Sequence, residues 1–350
     1  MKTFIVTPMG NSCNLHCDYC YHENLSRRPL AKMNERVLGK FIKESLSLFD
    51  GVRYIWHGGE SMLAGIDFYK KVLVLQKKYK RINQSVINGI QTNATLVNEN
   101  WGQIFADNNF YVSTSLDGTK DLHDLHRDNS YDRVVKGIEI LSKHLNRVGI
   151  ILVVNKDNVH FPDEIYKSFC VHNWYRGFEL HPCMPIADSK NELVPDENDL
   201  LNFMCRIFDL WWGQDDPKIV IRTLRDIIRV FLGVYPITCA SQRKGCLHIS
   251  SIDYDGNIYT CSRFMKEKEG YLGNILEDTL YNLLQSERTQ KIYQLMVELP
   301  KECLSCGWLN YCGGGCAYQR WLDGWSKYYQ CNVRRKVFEY VVSKLQAGII

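Results

Sequence analysis

Eleven of the fourteen cysteines fall into two groups with ligand-like spacing, and that clustering constrains this 350-residue chain more than any other feature. Cys13, Cys17 and Cys20 form the first group, spaced by three and two residues. Cys239, Cys246, Cys261, Cys303, Cys306, Cys312, Cys316 and Cys331 form the second. Cysteines staple small secreted domains, but a chain of this length buries a core without them, so thiols in these patterns point to metal or catalysis. The run from Met1 to Pro8 has no signal-peptide apolar stretch, and no later segment approaches membrane-spanning length. A soluble, cytoplasmic protein is expected. The net charge of +4 gives no reason to expect a nucleic-acid partner. The densest basic run, Lys77 to Arg81, closes a predicted helix, where cations complement the dipole.

From Thr3 to about His181 apolar β-rich runs alternate with helical periodicity, the pattern of βαβ units around a parallel sheet. Strands are predicted at Thr3–Thr7, Val52–Trp56, Val86–Gln91, Tyr111–Ser115, Val148–Val154 and Gly177–Leu180. Helices are predicted at Asn34–Phe49, Asp67–Lys80, Asn98–Asn108, Asp132–Leu145 and Pro162–Trp174, then near Asp199–Trp212 and Ile219–Leu232. Six strands with right-handed crossovers give an α/β fold, a partial (β/α)6 TIM-type barrel. Such barrels place chemistry where strands end, and Cys13, His57, Gly58, Gly59, Glu60, Asn93 and Asp117 all lie there. After Pro236 the composition turns rich in Cys, Gly and Tyr, which sets a domain boundary near 235: a barrel over 1–235 and a cysteine-rich domain over 236–350.

Three thiols in one short loop leave a cubane 4Fe-4S cluster one ligand short, since such a cluster takes four. The open iron is then free to bind a small molecule, as the open position of a catalytic metal does. A zinc site completed by His16 or His22 is the alternative. The spacing, Tyr19 before the last cysteine, and Gly58-Gly59-Glu60 after the second strand together resemble the radical S-adenosylmethionine (SAM) superfamily. The resemblance implies that the open iron chelates SAM and that reductive cleavage yields a 5′-deoxyadenosyl radical. It also implies that Gly58, Gly59 and Glu60 bind the methionine amino end and that Tyr19 lies near the adenine through its backbone. Asn93 belongs to the same set of expected SAM contacts. Ser113–Gly118 and His123–Arg127 look like the SAM-contacting loops of sulfatase-maturase-like members, so Ser115 and Arg127 are expected at the ribose and carboxylate, with Arg133 a weaker candidate. A planar guanidinium matches a carboxylate.

In the C-terminal group, Asp255-Gly256-Asn257 signals a hairpin that turns Cys246 and Cys261 back toward each other. Gly313-Gly314-Gly315, between Cys312 and Cys316, is expected to let backbone approach a cluster. Ligand chemistry alone leaves zinc and iron-sulfur equally open, because thiolates select both. Nine residues between Cys246 and Gly256, four between Gly256 and Cys261, and spacings of two, five and three from Cys303 resemble the SPASM extension of radical SAM enzymes. That resemblance implies two auxiliary 4Fe-4S clusters, three in all. Cys239, Cys246, Cys261 and Cys316 would hold one, and Cys303, Cys306, Cys312 and Cys331 the other.

The layout is similar to anaerobic sulfatase maturases, but where those carry an Asp after the third auxiliary cysteine this chain has Ser262. A hydroxyl does not take up a proton as a carboxylate does. The leading expectation is therefore a side-chain crosslink, carbon-carbon or thioether, in a small ribosomally made precursor peptide. Sulfatase maturation, peptide epimerisation and a non-enzymatic zinc scaffold are the alternatives. Only twelve residues precede Cys13, so a leader peptide is expected to bind the barrel, the SPASM domain or a separate partner. A reducing donor such as flavodoxin or ferredoxin is the other partner expected. Cys183, after the sixth strand, is a candidate hydrogen donor near substrate, whereas Cys170 and Cys205 read as core. Trp211-Trp212 and Tyr328-Tyr329 read as packing residues that peptide clefts also use.

Overall fold

A computed structural model describes residues 1–21, 31–185, 192–265 and 267–348. Six parallel strands alternate with helices: β1 Lys2–Thr7, α1 Glu35–Leu48, β2 Gly51–Trp56, α2 Ile66–Tyr79, β3 Ser85–Thr92, α3 Glu99–Asp107 and β4 Tyr111–Ser115. Then follow α4 Lys120–His126, α5 Tyr131–His144, β5 Gly149–Val154, α6 Pro162–Cys170, β6 Phe178–Pro182, α7 Glu197–Gln214 and α8 Arg222–Phe231. The strands hydrogen-bond in the order β6-β5-β4-β3-β2-β1, all in parallel, giving the α/β partial barrel that the alternation predicts.

Alternation along the strands decides which side chains reach the barrel interior. The rings of Tyr54 and Trp56 meet Phe41 of α1 and Phe68 and Tyr69 of α2, so Ile55 and His57 face inward. Phe178 packs on Tyr166 and Phe169 of α6, which turns Glu179 and His181 inward as well. Phe4 stands T-shaped to Phe41, 5.1 Å between centroids, and both are fully buried. Asn34 caps α1 and Asn98 caps α3, each side chain accepting from a backbone N–H of the first turn.

Several boundaries differ from the sequence reading. The sixth helix ends at Cys170 rather than Trp174, because the chain turns there to stack Tyr175 on Phe169, 5.7 Å apart at 16°. Cys170, expected in the core, is exposed: the buried face of α6 is Ile165, Tyr166 and Phe169, and Cys170 falls off it. Cys205 is half-buried. The eighth helix starts at Arg222, because Val220 first donates its N–H to Arg176 O. The segment Lys120–His126, read as loop, is helical. The sixth strand runs on to Pro182 and so carries His181 within the sheet.

The sheet continues past position 235. A second set of strands, β7 Ile249–Asp253, β8 Asn257–Tyr259 and β9 Tyr271–Asn274, joins it through parallel pairing of β1 with β7, giving nine strands in one sheet. Gly256, at φ +93°, makes the predicted β7–β8 hairpin turn. Short helices follow: α9 Leu280–Gln285, α10 Glu287–Val297, α11 Lys301–Leu304, α12 Leu309–Cys312 and α13 Ala317–Leu322. The last, α14 Cys331–Ala347, returns to pack on α7 and α8 beside the barrel. Among the described residues no helix is long and apolar enough to cross a membrane.

Candidate active site

The first cysteine group lies in the loop after β1, where Leu15 is buried and pins the loop to the core. Cys20 N–H bonds Cys17 O at 3.1 Å, and Leu15 N–H reaches Cys13 Sγ at 3.4 Å. Burial pushes the Cys13 thiol up to about 12 and the Cys17 thiol to about 11; Cys13 also feels the charge of Cys17 and Cys20, and Cys17 that of Cys20. Thiols in such a setting ionise only against compensating positive charge, which a metal cluster supplies. His22, the alternative fourth ligand, lies outside the described residues, and His16 is turned to Asp128 at 3.7 Å.

Gly58 and Gly59, at φ +79° and +47°, let the β2 loop press against this one. A Cβ on Gly59 would stand 2.1 Å from Ser12 O, and Glu60 N–H donates to that same oxygen at 2.8 Å. The Glu60 carboxylate is buried and accepts from Met62 N at 2.9 Å, Asn93 N at 2.7 Å and Thr92 Oγ1 at 3.0 Å. It is thus a strut between the β2 and β3 loops. Asn93 Nδ2 donates to Asn14 Oδ1 at 2.9 Å and points toward Cys13 Sγ at 3.8 Å. Ser115 Oγ accepts from Gln91 Nε2 at 3.1 Å.

Half-buried Tyr19 and buried Asp117 and Arg127 form a knot: Arg127 Nη1 donates to Tyr19 OH at 2.9 Å, and that hydroxyl donates to Asp117. The Arg127 charge also acts on Cys17. Its Nε is buried with no partner among the described residues, a donor free for an anionic group beside the loop. That orphan N–H and the open three-thiol loop suit a carboxylate-bearing cofactor on a cluster. Arg133 is exposed and, among the described residues, donates to Asp128 O at 3.5 Å. Sequence reading missed His126, which bridges Asp18 at 2.9 Å and Asp157 at 2.8 Å and ties the cysteine loop to the loop after β5. A His flanked by acids far apart in sequence leaves no local signal.

In the C-terminal region the thiols sort into two groups by mutual influence. Cys246 feels Cys316, Cys239 and Cys261, whereas Cys303 feels Cys312, Cys331 and Cys306. Half-buried Arg263 donates to Cys316 Sγ at 3.0 Å. Cys239 is an exposed residue whose thiol still feels Cys316 and Cys261. The three glycines, at φ +62°, +88° and +73°, approach the protein itself: a Cβ on Gly313, Gly314 or Gly315 would meet Ser241, Leu299 or Tyr328 within 2.6 Å. Among the described residues no three His, Cys, Asp or Glu side chains gather closely enough for a single ion. A cubane spreads its thiolates over separate irons and suits the wider setting.

Between the two regions, Tyr21 OH lies 3.5 Å from His57 Nε2 and also bonds Ser262, joining the first loop to the C-terminal array. Cys183 is buried, its thiol raised to about 11 by burial, and Tyr329 OH donates to its carbonyl at 3.1 Å. Trp211 donates to Ile219 O at 2.9 Å, and Trp212 stacks on Phe208 at 5.8 Å while staying 47% exposed, so neither lines this site.

Residues 7–168 match the Radical SAM superfamily, and residues 246–307 match SPASM, an iron-sulfur cluster-binding domain. A serine-type anaerobic sulfatase-maturating enzyme of Bacteroides thetaiotaomicron is 32% identical, with 91% of this chain and 84% of that one covered. This chain belongs to the radical SAM superfamily, with a SPASM domain. A cysteine-type anaerobic sulfatase-maturating enzyme of Clostridium novyi is 30% identical over 98% of this radical SAM chain and 96% of its own. Native anSMEcpe with bound AdoMet superposes with a TM-score of 0.88 at 25% identity, covering 99% of this chain and 98% of that one. With AdoMet and the Cp18Cys peptide bound, the TM-score is 0.87.

Proposed function

We propose that this radical SAM/SPASM protein oxidises a Ser or Cys side chain of a protein or peptide by two electrons, as a maturase of the anaerobic sulfatase type. Whole-length likeness to both serine-type and cysteine-type maturating enzymes carries the reading. In it Cys13, Cys17 and Cys20 hold the cluster that binds SAM, and the eight C-terminal cysteines hold two auxiliary clusters in the groups their mutual influence defines. When bound, SAM at the open iron supplies, on one-electron reduction, a carbon radical that removes a hydrogen atom from substrate. The chain's own residues hold and shield that chemistry. Arg127 offers its unused N–H to the SAM carboxylate, and Gly58 and Gly59 bring backbone to the methionine end. Glu60 and Asn93 keep the loops in register, and Ser115 and Tyr19 flank the nucleoside. Arg263 balances thiolate charge at Cys316. A low-potential carrier such as flavodoxin or ferredoxin delivers the electron.

The test is anaerobic incubation of the reconstituted enzyme with SAM, dithionite and sulfatase-motif peptides carrying Ser or Cys at the target position. Trapping of a formylglycine aldehyde by a hydrazide supports the reading; SAM cleavage with both peptides unchanged overturns it. Ser262 favours a second reading, a side-chain crosslink in a small precursor peptide. That reading predicts loss of two hydrogens with both residues retained and nothing for hydrazide to trap.

A further inference from the structure

Removing a hydrogen atom from a C–H bond beside O–H or S–H leaves a radical that must still lose one electron and one proton. The electron has an acceptor in an auxiliary cluster. The proton needs a base within reach of the substrate, and most groups at the barrel mouth are committed elsewhere. The Ser262 hydroxyl bonds Tyr21, whose phenol burial holds far above the usual range. Glu60 is spent on Met62, Thr92 and Asn93, and Asp117 on Arg127, Tyr19 and Val153 N. His57 Nδ1 accepts from Gly58 N–H at 2.5 Å, which fixes the tautomer with hydrogen on Nε2 and makes that nitrogen a donor. Cys183 stays a thiol.

His181 differs from all of these. It sits at the carboxyl end of β6, inward-facing, close enough across the mouth for His57 to feel its charge. It makes no hydrogen bond to the described residues. Resting on the maturase reading, we propose that His181 is the proton acceptor of this site. As the electron passes to the auxiliary 4Fe-4S cluster, the substrate O–H or S–H bond breaks, its proton moves to an imidazole nitrogen of His181, and a C=O or C=S bond forms. One radical thus yields one proton and one electron, and on the Cys peptide water then hydrolyses the C=S bond to the same aldehyde, releasing hydrogen sulfide. The choice of imidazole has a physical reason in Arg263, whose charge also acts on His181. That guanidinium would capture a carboxylate as an ion pair, whereas a neutral imidazole stays available. Burial, then Arg263 and Arg222, depress His181 to about 3, and a carbonyl-bound proton is acidic enough to pass to so weak a base.

The experiment compares wild type, His181→Gln and His181→Ala holoenzyme on the Ser and Cys peptides, with cluster absorbance recorded for each. Formylglycine formed per 5′-deoxyadenosine should fall about 100-fold in both variants, with peptide affinity held, because a general base contributes roughly that much. Added imidazole should restore coupling in His181→Ala, which a packing defect would not allow. Independently of turnover, bound peptide should slow deuterium exchange at the His181 ring C–H of the wild type, read by mass spectrometry. Full coupling in His181→Gln, or an exchange rate blind to peptide, overturns the assignment alone. A wild type inert on both peptides removes the maturase reading and this assignment with it.

Discussion

Residues 2–182 and residues 239–331 continue one nine-stranded sheet, yet they bury different things. Between the barrel strands and their helices lie aromatic side chains: Phe4, Phe41, Tyr54, Trp56 and Tyr69 are each fully buried and pack edge to face. Such packing stabilises the fold without a ligand. The C-terminal segment makes only short strands and helices of four to six residues around its thiols, apart from α10 and α14. Its second apolar cluster rests on four buried residues, Phe264, Met296, Ala317 and Tyr318. The first region is held by burial throughout, whereas the second joins that core only through residues such as Ile252, Ile258, Ile275 and Leu280 and leaves its thiol-bearing loops to whatever joins the thiolates.

The sharpest way to break that comparison is Cys17→Ala. We expect SAM cleavage to vanish and iron to fall from about twelve to about eight per chain while the auxiliary clusters stay, counting four irons per cluster. Persisting 5′-deoxyadenosine would detach the first loop from the chemistry. Next in size, stripping iron with a chelator should expose residues 239–331 to amide exchange while β1 to β6 stay protected; uniform loss of protection would mean that the barrel too depends on the clusters. Trp56→Ala should cost about 3–5 kcal/mol in a denaturant titration, the usual cost of truncating a buried aromatic. A cost below about 1 kcal/mol would move the stability away from the barrel core.

The most gradual effect is one of pH. His123 is wholly buried and bonded to Ser130 Oγ at 3.0 Å, and burial, then the Arg127 charge, depresses it from 6.5 to about 3. The unfolded chain takes a proton below pH 6.5 that the folded barrel refuses. Stability therefore falls as pH drops from 6.5 toward 3, by at most about 1.4 kcal/mol per pH unit from this residue. His123→Asn should flatten that slope in melts across the range; an unchanged slope would place the acid sensitivity elsewhere.

Much of the barrel was legible because short β-branched and aromatic runs, buried at every second residue, read as strands, and amphipathic helices announce themselves by period. Val52–Trp56 and Tyr111–Ser115 fall within the observed β2 and β4 for that reason. The cysteine spacing marked which loops carry chemistry, since cluster ligands must be thiols whatever surrounds them. Periodicity did not show that Cys170 would face solvent or that Lys120–His126 would coil, because one residue of phase or one short turn lies below its resolution.

Residue type and local spacing, then, determined the alternation of strands and helices, the loops that carry thiols, and the family. Only the tertiary structure decided that β7 would pair with β1, that His126 would bridge two acids, and that His57 would feel the charge of His181. Those encounters join residues far apart along the chain. They depend on sheet curvature and on the inward or outward phase of each strand, which many weak contacts set together and no local window contains.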